Sequence, residues 1–183
     1  MTAIDPIRRL HQHRAWVNRN LLDAASHLSD EQRMAEFPIG QGSIWKSLLH
    51  LYRAEYVWFE CLLGNEAAVV PGDLPGKLPG NQLGEGAIGE LPELRQKWEA
   101  VEKRYSDYLA TLTPDALEET VFRFSLALQT RISLRRSDAL LHICTHAHYT
   151  AAQVVNMLRQ HGATLPQTML MALIRQEGER KGV

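Results

Sequence analysis

Three histidine residues have the type and spacing of metal ligands. His142 and His146 are four residues apart in a segment with helical periodicity, so both side chains fall within one stripe of the helix. His50 belongs to an earlier segment of the same kind. Neutral imidazole binds zinc, nickel, copper and iron, and an i, i+4 pair joined by one histidine of a facing helix supplies three ligands and an open position. The pattern predicts a catalytic metal site, and a hydrogen-bonded core residue is the alternative for each histidine taken alone.

The stripe shared by this i, i+4 pair continues with polar side chains. These side chains are candidates to contact a bound cofactor or substrate, with packing inside a bundle as their alternative role: Tyr149, Thr150 and Gln153. Around His50 the corresponding stripe carries small residues, Ser47 and Ala54 among them, which favours a cleft at that point.

The other reactive groups are predicted to be structural. His148 points to nearly the opposite side of its helix from the pair, so it is a poor third ligand. Exposure is expected for the remaining histidines, which are His11, His13, His27 and His161. Cys61 and Cys144 are far apart and in no C-x-x-C pattern, which predicts two buried thiols rather than a disulfide or a cysteine zinc site. The sequence has no G-x-S-x-G or P-loop motif.

Length and composition predict one globular domain over residues 1–183. Apolar residues make up 45% of the chain, charged residues 22%, and the formal net charge is -1. This balance argues against a nucleic-acid-binding surface. No apolar run approaches the roughly 18 residues of a membrane span, and the N-terminus does not read as a signal peptide. We therefore expect a cytoplasmic protein with neither nucleic acid nor a membrane as a partner.

Helical periodicity predicts four long helices, each with start or stop signals. The first begins at Asp5 and Pro6, and the second runs from a Ser43 cap to Gly64. The third begins at Pro92 and ends before Pro114. The fourth is predicted to start at a Ser137 or Asp138 cap, to end at Gly162 and, because its apolar residues lie almost all round, to be the most buried. A short final helix is predicted from Pro166, followed by a frayed tail over residues 177–183.

Two connections have distinct patterns. Residues 64–90 contain Pro71-Gly72, Pro75-Gly76 and Pro79-Gly80, which predict a long crossover loop between the second and third helices. Such a loop is either a functional lid or a mobile connection. Between Thr120 and Leu134, apolar residues alternate with polar ones, which predicts extended chain or a small hairpin before the fourth helix. The predicted fold is therefore all-α, a four-helix bundle with one long crossover.

Three segments carry a resemblance to a known family. The sequence LHICTHAHYTAAQ (residues 141–153), with residues 156–159 after it, resembles the last bundle helix of the DinB-like superfamily, the damage-inducible DinB and bacillithiol-transferase-type metalloproteins. The sequence IWKSLLH (residues 44–50), with Trp58 eight residues on, is similar to the second helix of that family. The order of the helices is similar over nearly the whole chain.

The resemblance implies a four-helix bundle, commonly dimeric, with zinc, nickel or iron held by one histidine of the second helix and two ligands of the fourth. His50 matches the first position, and His146 matches the first histidine of the usual H-x-x-x-H pair. The second histidine of that pair is replaced by Thr150, a poor metal ligand. Either His142 supplies the third nitrogen from one turn earlier, or the site is degenerate and holds no metal. We favour His142 because it shares the stripe.

The resemblance also implies a function. Family members of known activity are thiol-dependent transferases and isomerases in which the metal stabilises the thiolate of a low-molecular-weight thiol for attack on an electrophile. We therefore expect a bacterial, homodimeric, thiol-dependent S-transferase that acts on small electrophiles. A metal-dependent hydrolase is one alternative. A non-catalytic, metal-free bundle that binds a small apolar ligand or serves a structural or stress-response role is the other, and Thr150 argues for it.

Overall fold

Four long amphipathic helices form the main body of the protein in a computed structural model that describes residues 2, 4–77, 80–125 and 128–182. They are α1 (Ile4–Ser26), α3 (Ile44–Leu62), α4 (Leu91–Thr111) and α5 (Arg136–Gln160). Two shorter α-helices, α2 (Asp30–Met34) and α6 (Leu170–Lys181), a 3-10 helix (Asp115–Glu118) and a hairpin of β1 (Thr120–Ser125) and β2 (Thr130–Arg135) complete the described elements. The mostly helical fold, the hairpin and the short C-terminal helix are thus confirmed, whereas α2 has no predicted counterpart.

The apolar stripes of the long helices meet in one hydrophobic core. Helix α5 packs against α1 and α3, and α4 also contacts both of them. The seam predicted for the third helix is buried, with Leu94, Trp98, Val101 and Tyr105 all in the core. Within the described residues, no helix is long and apolar enough to cross a membrane.

The local signals for the second and third predicted helices agree with the structure. The Ser43 side chain accepts a hydrogen bond from the Lys46 N–H at 3.1 Å and caps α3, and Gly64 follows the helix with a φ of +93°. Pro92 lies in the first turn of α4, where its missing N–H has no cost. These ends depend on neighbouring residues alone, which is why sequence patterns locate them.

The start of α5 differs from its prediction. The helix begins at Arg136, no side chain caps it, and Ser137 and Asp138 lie inside its first turn. The chain passes directly from β2 into the helix, and the Arg136 N–H donates to the Glu119 carbonyl at 2.8 Å. The hairpin therefore satisfies an N–H group that a capping side chain would otherwise bind.

The C-terminal prediction is also wrong in two respects. The final helix begins at Leu170 rather than Pro166, because side chains of α1 bind carbonyl groups of the preceding segment: Asn20 Nδ2 donates to Gln167 at 2.8 Å, and His13 Nε2 donates to Thr168 at 2.9 Å. The helix then continues to Lys181 instead of fraying at Glu177, whose carboxylate forms a bidentate ion pair with Arg9. Val183 lies outside the described residues.

The two connections are arranged as follows. Residues 63–77 and 80–90, the described part of the connection between α3 and α4, contain no helix or strand, and Pro79 lies outside it. In the hairpin, Val121 pairs with Leu134 and Arg123 with Ile132, which confirms the extended chain and the hairpin, with Leu126 and Ala127 outside the described residues. The alternating apolar residues do not share one face, because Phe122 pairs with Ser133 rather than with an apolar residue of β2. Arg123 lies on the same side of β1 as Val121. On that side it packs against α3, with its guanidinium over the Trp58 ring.

Helix α3, not α5, is the most buried long helix. It buries 12 of its 19 residues, whereas α5 buries 10 of 25. The outer face of α5 is open to solvent, and Leu141, His142 and Tyr149 are exposed on it. The apolar residues on all sides of α5 therefore predicted its burial incorrectly, because such a pattern does not show which helices have neighbours on every side.

A cluster of charged side chains lies inside the bundle. The Arg14 guanidinium of α1 pairs with Glu55 of α3 and forms a bidentate contact with Glu102 of α4 at 2.8 and 3.0 Å. The Glu55 carboxylate also accepts hydrogen bonds from Asn18 at 2.9 Å and from the Trp98 indole at 2.8 Å. Burial raises the pKa of Glu102 to about 7. The Arg14 charge acts in the opposite direction, but Glu102 shares that charge with the Glu55 carboxylate. The cluster joins three helices of the bundle.

His11 and His13 are buried, which contradicts their expected exposure. The His11 Nε2 lies 3.1 Å from the Leu140 carbonyl of α5 and, since a carbonyl only accepts, this nitrogen carries the proton. The ring lies beside Tyr105 and near the Arg14 charge. Burial above all, and then Arg14, lower the pKa of His11 from 6.5 to about 3.

This burial predicts a specific loss of stability in acid. Between pH 6.5 and 4 the unfolded chain binds a proton at His11 that the folded chain does not bind, so the free energy of unfolding falls as the pH falls. Each pH unit in this window is expected to cost about 1 kcal/mol through this residue. In the His11→Gln variant, whose amide can still donate to Leu140, the melting temperature should decline less steeply with acid than in the wild type. His27→Gln, exposed just beyond α1, is the control, and equal slopes for wild type and His11→Gln would contradict the prediction.

Candidate metal centre

Two of the three predicted ligands meet between α3 and α5. The Nε2 atoms of His50 and His146 lie 3.0 Å apart, with ring centroids 5.0 Å apart, and both side chains are half-buried. Helices α3 and α5 pack closely along their length, so the two imidazoles face one another across a helix interface. The structure therefore brings together residues that are 96 positions apart in the sequence.

The contact between these nitrogens has two chemical interpretations. In one tautomeric arrangement, an N–H of one ring donates to the lone pair of the other. Alternatively, two imidazoles on one tetrahedral metal at about 2.0–2.1 Å place their nitrogens about 3.3 Å apart, close to the observed spacing. The two Nε2 atoms are therefore close enough together to be ligands of one divalent cation.

The electrostatic surroundings keep both rings neutral. Burial first, then His146 and Arg53, lower the pKa of His50 from 6.5 to about 4. Burial also lowers the pKa of His146, with His142 as the next cause. Neutral imidazole has a free lone pair near pH 7, and this is the form that binds a metal.

His142 lies at the edge of this pair. Its side chain is exposed, its ring centroid is 5.9 Å from that of His146, and it packs on the Trp58 indole at 4.9 Å. Across the described residues there is no group of three or more histidine, cysteine or acidic side chains arranged to hold a metal ion. His142 as the third ligand therefore remains a prediction.

The other candidate contacts are spread around α5. Thr150 is buried, Tyr149 is 69% exposed, and Gln153 is intermediate and packs on Gly40. Gly40 has a φ of +54°, and a side chain there would overlap the Gln153 amide. His148 contacts the His13 ring, with centroids 4.9 Å apart, as expected for a residue that points away from the pair. The roles predicted for Tyr149, Thr150 and Gln153 remain predictions.

Two arginines near the histidines were not predicted to be part of the site. Burial is the main cause of the lowered pKa of His50, and Arg53, one turn later on α3, is a further cause. Burial is also the main cause of the lowered pKa of His142 and of His146, with Arg123 of β1 as a further cause. The alternating pattern of β1 placed Arg123 on one side of a strand, but no local signal indicated that this side would face Trp58. A polar residue on the inward side of a half-buried strand is the one available clue.

Both cysteines are buried, as predicted, and neither is activated. The Cys61 thiol donates to the Phe122 carbonyl at 2.9 Å, and burial raises its pKa to about 11. Burial likewise raises the pKa of Cys144 to about 12. A thiol with a raised pKa is a weak nucleophile at neutral pH, so these residues are structural.

Comparisons with known proteins agree on the fold. The family model of the DinB family matches residues 4–181. A DinB-like protein from Bacillus cereus has a similar structure, with 15% identity, a TM-score of 0.61, and coverage of 87% of this chain and 95% of that one. YfiT from Bacillus subtilis, with 16% identity, a TM-score of 0.60 and coverage of 86% and 89%, is described as a probable metal-dependent hydrolase with an unusual four-helix bundle topology. No curated protein sequence gives a significant match.

Proposed function

Because the chain belongs to the DinB family, whose model matches residues 4–181, we propose that it is a metal-dependent enzyme and, more specifically, a thiol-dependent S-transferase that acts on small electrophiles. The metal is zinc, nickel or iron, the ions that imidazole ligands suit. The thiol is a low-molecular-weight cofactor rather than a cysteine of the chain, since Cys61 and Cys144 are buried with raised pKa values.

The meeting of His50 and His146 is the observation that carries this proposal. Two neutral imidazoles from facing helices place their Nε2 atoms 3.0 Å apart, close to the spacing of two ligands on a common ion. We assign the third nitrogen to His142, whose ring adjoins His146. Metal binding would have to draw that ring away from Trp58. Thr150 offers only a hydroxyl, a poor ligand for these ions.

The metal and the protein residues have different roles in the proposed reaction. A bound ion supplies stabilisation of the thiolate, which raises the fraction of nucleophile at neutral pH. Burial keeps His50 and His146 unprotonated and able to bind the ion. Trp58 packs against one side of the His142 ring and limits its positions. Tyr149, Thr150 and Gln153 are proposed to contact the thiol or the electrophile.

One alternative has specific support. YfiT is described as a probable metal-dependent hydrolase, and the same ligands could hold an ion that ionises water instead of a thiol. The non-catalytic alternative is favoured by Thr150 at the usual ligand position and by the distance of His142 from the pair. Metal content separates the enzymatic proposals from the non-catalytic one.

Metal analysis of the purified chain is the direct test. We expect about one zinc, nickel or iron ion per chain, the stoichiometry of a single three-ligand site. A His50→Ala, His146→Ala double variant should lose the metal, because a single imidazole ligand remains. Elemental analysis by mass spectrometry after extensive dialysis measures both.

His148→Ala is the matched control, since this residue lies on the same helix as His146 but contacts His13. Its metal content should equal that of the wild type. Wild-type protein that is folded, metal-free and unable to take up any of the three ions would exclude the enzymatic proposals. The non-catalytic bundle would then be the function to pursue.

A further inference from the structure

Arg123 is an arginine without an acidic partner. Its guanidinium carbon lies 4.4 Å above the Trp58 ring, and within the described part of the chain it forms no ion pair and no hydrogen bond with a carboxylate. Its side chain is partly buried, and burial lowers its pKa. A cation removed from water without a counter-ion is unfavourable unless something else compensates it.

The neighbouring arginines differ from Arg123 in this respect. Arg131 of the same hairpin forms a bidentate pair with Glu66 at 2.6 Å, and Arg136 pairs with Glu119 at 2.8 Å. Both of these pairs form on or beside the hairpin, so acidic residues are available nearby. The side of the hairpin that faces α3 nevertheless presents a positive charge to the protein, and no carboxylate of the described residues pairs with it.

A cavity of about 270 Å³ adjoins this charge. Its walls come from α3, the α3–α4 connection and β1, and they are largely apolar, with Val57, Val69 and Leu74 among them. Lys77 is a second cationic residue of the lining. The two acidic side chains of the lining are already engaged. Glu66 pairs with Arg131, and Asp73 accepts hydrogen bonds from the N–H of Gln82 and of Gly80. The volume is just below the range of about 300–1,000 Å³ for small-molecule sites, so the cavity can accommodate the apolar part of a small organic ligand.

Trp58 lies between the arginine of the cavity and the edge of the histidine pair. One side of the indole contacts Arg123, and His142 packs on the same ring with centroids 4.9 Å apart. Arg53 lies beside His50, and its Nε is buried without a hydrogen-bond partner in the described chain. Positive side chains therefore flank the histidines on both sides, one on α3 and one on β1.

We propose that the substrate or thiol bound at the His50–His146 centre is a small organic carboxylate, and that Arg123 binds its carboxylate group at the cavity between β1 and residues 66–77. The planar guanidinium of Arg123 can form two parallel N–H···O bonds with a carboxylate while its face stays on Trp58. The apolar walls of the cavity contact the apolar part of the ligand. This inference rests on the proposed function for the reacting end of the ligand, but the carboxylate subsite does not require the metal.

Calorimetric titration with benzoate tests the subsite directly. Benzoate should bind saturably to the purified full chain, and Arg123→Gln should weaken binding about 10-fold or more, because a charge-assisted pair is lost. Arg123→Lys, which keeps the charge but not the planar fork, should be intermediate. Arg159→Gln, at the exposed C-terminal end of α5, is the matched control and should bind as the wild type does. Near-ultraviolet circular dichroism checks that each variant is folded.

Three results would overturn the inference. They are the absence of saturable benzoate binding to the wild type, equal binding by the wild type and Arg123→Gln, and tighter binding of inorganic phosphate than of benzoate at the same site. The His50→Ala, His146→Ala double variant separates this inference from the proposed function. Benzoate binding that survives in that variant supports the subsite even if the chain proves to hold no metal.

Discussion

Replacing Arg14 with methionine is expected to lower the free energy of unfolding by about 3–5 kcal/mol, the range for breaking a buried ion pair from one side. The substitution leaves Glu55 and Glu102 in the bundle without their shared guanidinium. Those carboxylates would have to be buried unpaired or take up protons. Since whole domains are stable by about 5–15 kcal/mol, the variant should be close to unfolding, as urea titration followed by circular dichroism would measure.

Arg9→Met is the matched control on the same helix. Arg9 forms a bidentate pair with Glu177, but both side chains are about a third exposed, so the expected cost is about 0–1 kcal/mol. A triple variant, Arg14→Met with Glu55→Gln and Glu102→Gln, should recover part of the loss because no unpaired charge remains. If the triple variant is no more stable than Arg14→Met alone, lost packing on the Tyr105 ring, rather than unpaired charge, explains the effect.

The second large effect concerns the rate of thiol transfer. His50→Ala and His146→Ala are each expected to reduce the metal-dependent rate by about 1,000-fold or more, which corresponds to roughly 4 kcal/mol of transition-state stabilisation by the ion. A haloalkane with cysteine, coenzyme A or another cellular thiol provides the assay, through release of halide. His142→Ala should cause a comparable loss if this residue is the third ligand, and little change if it is not.

His148→Ala should retain wild-type activity in the same assay, since its side chain lies against His13 rather than the pair. The pH dependence supplies a second readout. The uncatalysed reaction of a thiol with a pKa near 8.5 slows about tenfold for each pH unit below that value, whereas a metal-bound thiolate reacts at a nearly constant rate. Halide release that needs no thiol would favour the hydrolase, and wild-type activity in both histidine variants would contradict the proposed site.

Part of the candidate site could be predicted from residue spacing. His142 and His146 share a stripe because of the geometry of one helix, and His148 points away for the same reason. That His50 meets His146 rather than another residue depends on how α3 packs against α5, and the resemblance to DinB-like proteins supplied that pairing. The position of the His142 ring on Trp58 depends on side-chain packing, which spacing does not describe.

The buried charge cluster has a recognisable signature in the sequence. Arg14 falls between Leu10 and Val17 on the apolar stripe of α1, and Glu55 interrupts the corresponding stripe of α3. A charge at a core position is costly unless it is paired, so two such interruptions of opposite sign indicate a pair. Which helices bring the partners together remains invisible until the bundle is assembled.

Local sequence patterns predicted the features that depend on neighbouring residues: the four long helices, the Ser43 cap, the Pro92 helix start, the extended strands of the hairpin and the histidine stripe of α5. The start of α5, the extended segment before α6, the burial of His11 and, among the described residues, the position of Arg123 at a cavity without a carboxylate partner could be seen in the folded structure alone. The two kinds of feature differ in the range of the interactions that set them. Backbone dihedral preferences and side-chain periodicity act over a few residues, whereas burial, ion pairing and the capture of carbonyl groups by distant side chains depend on which elements meet in space.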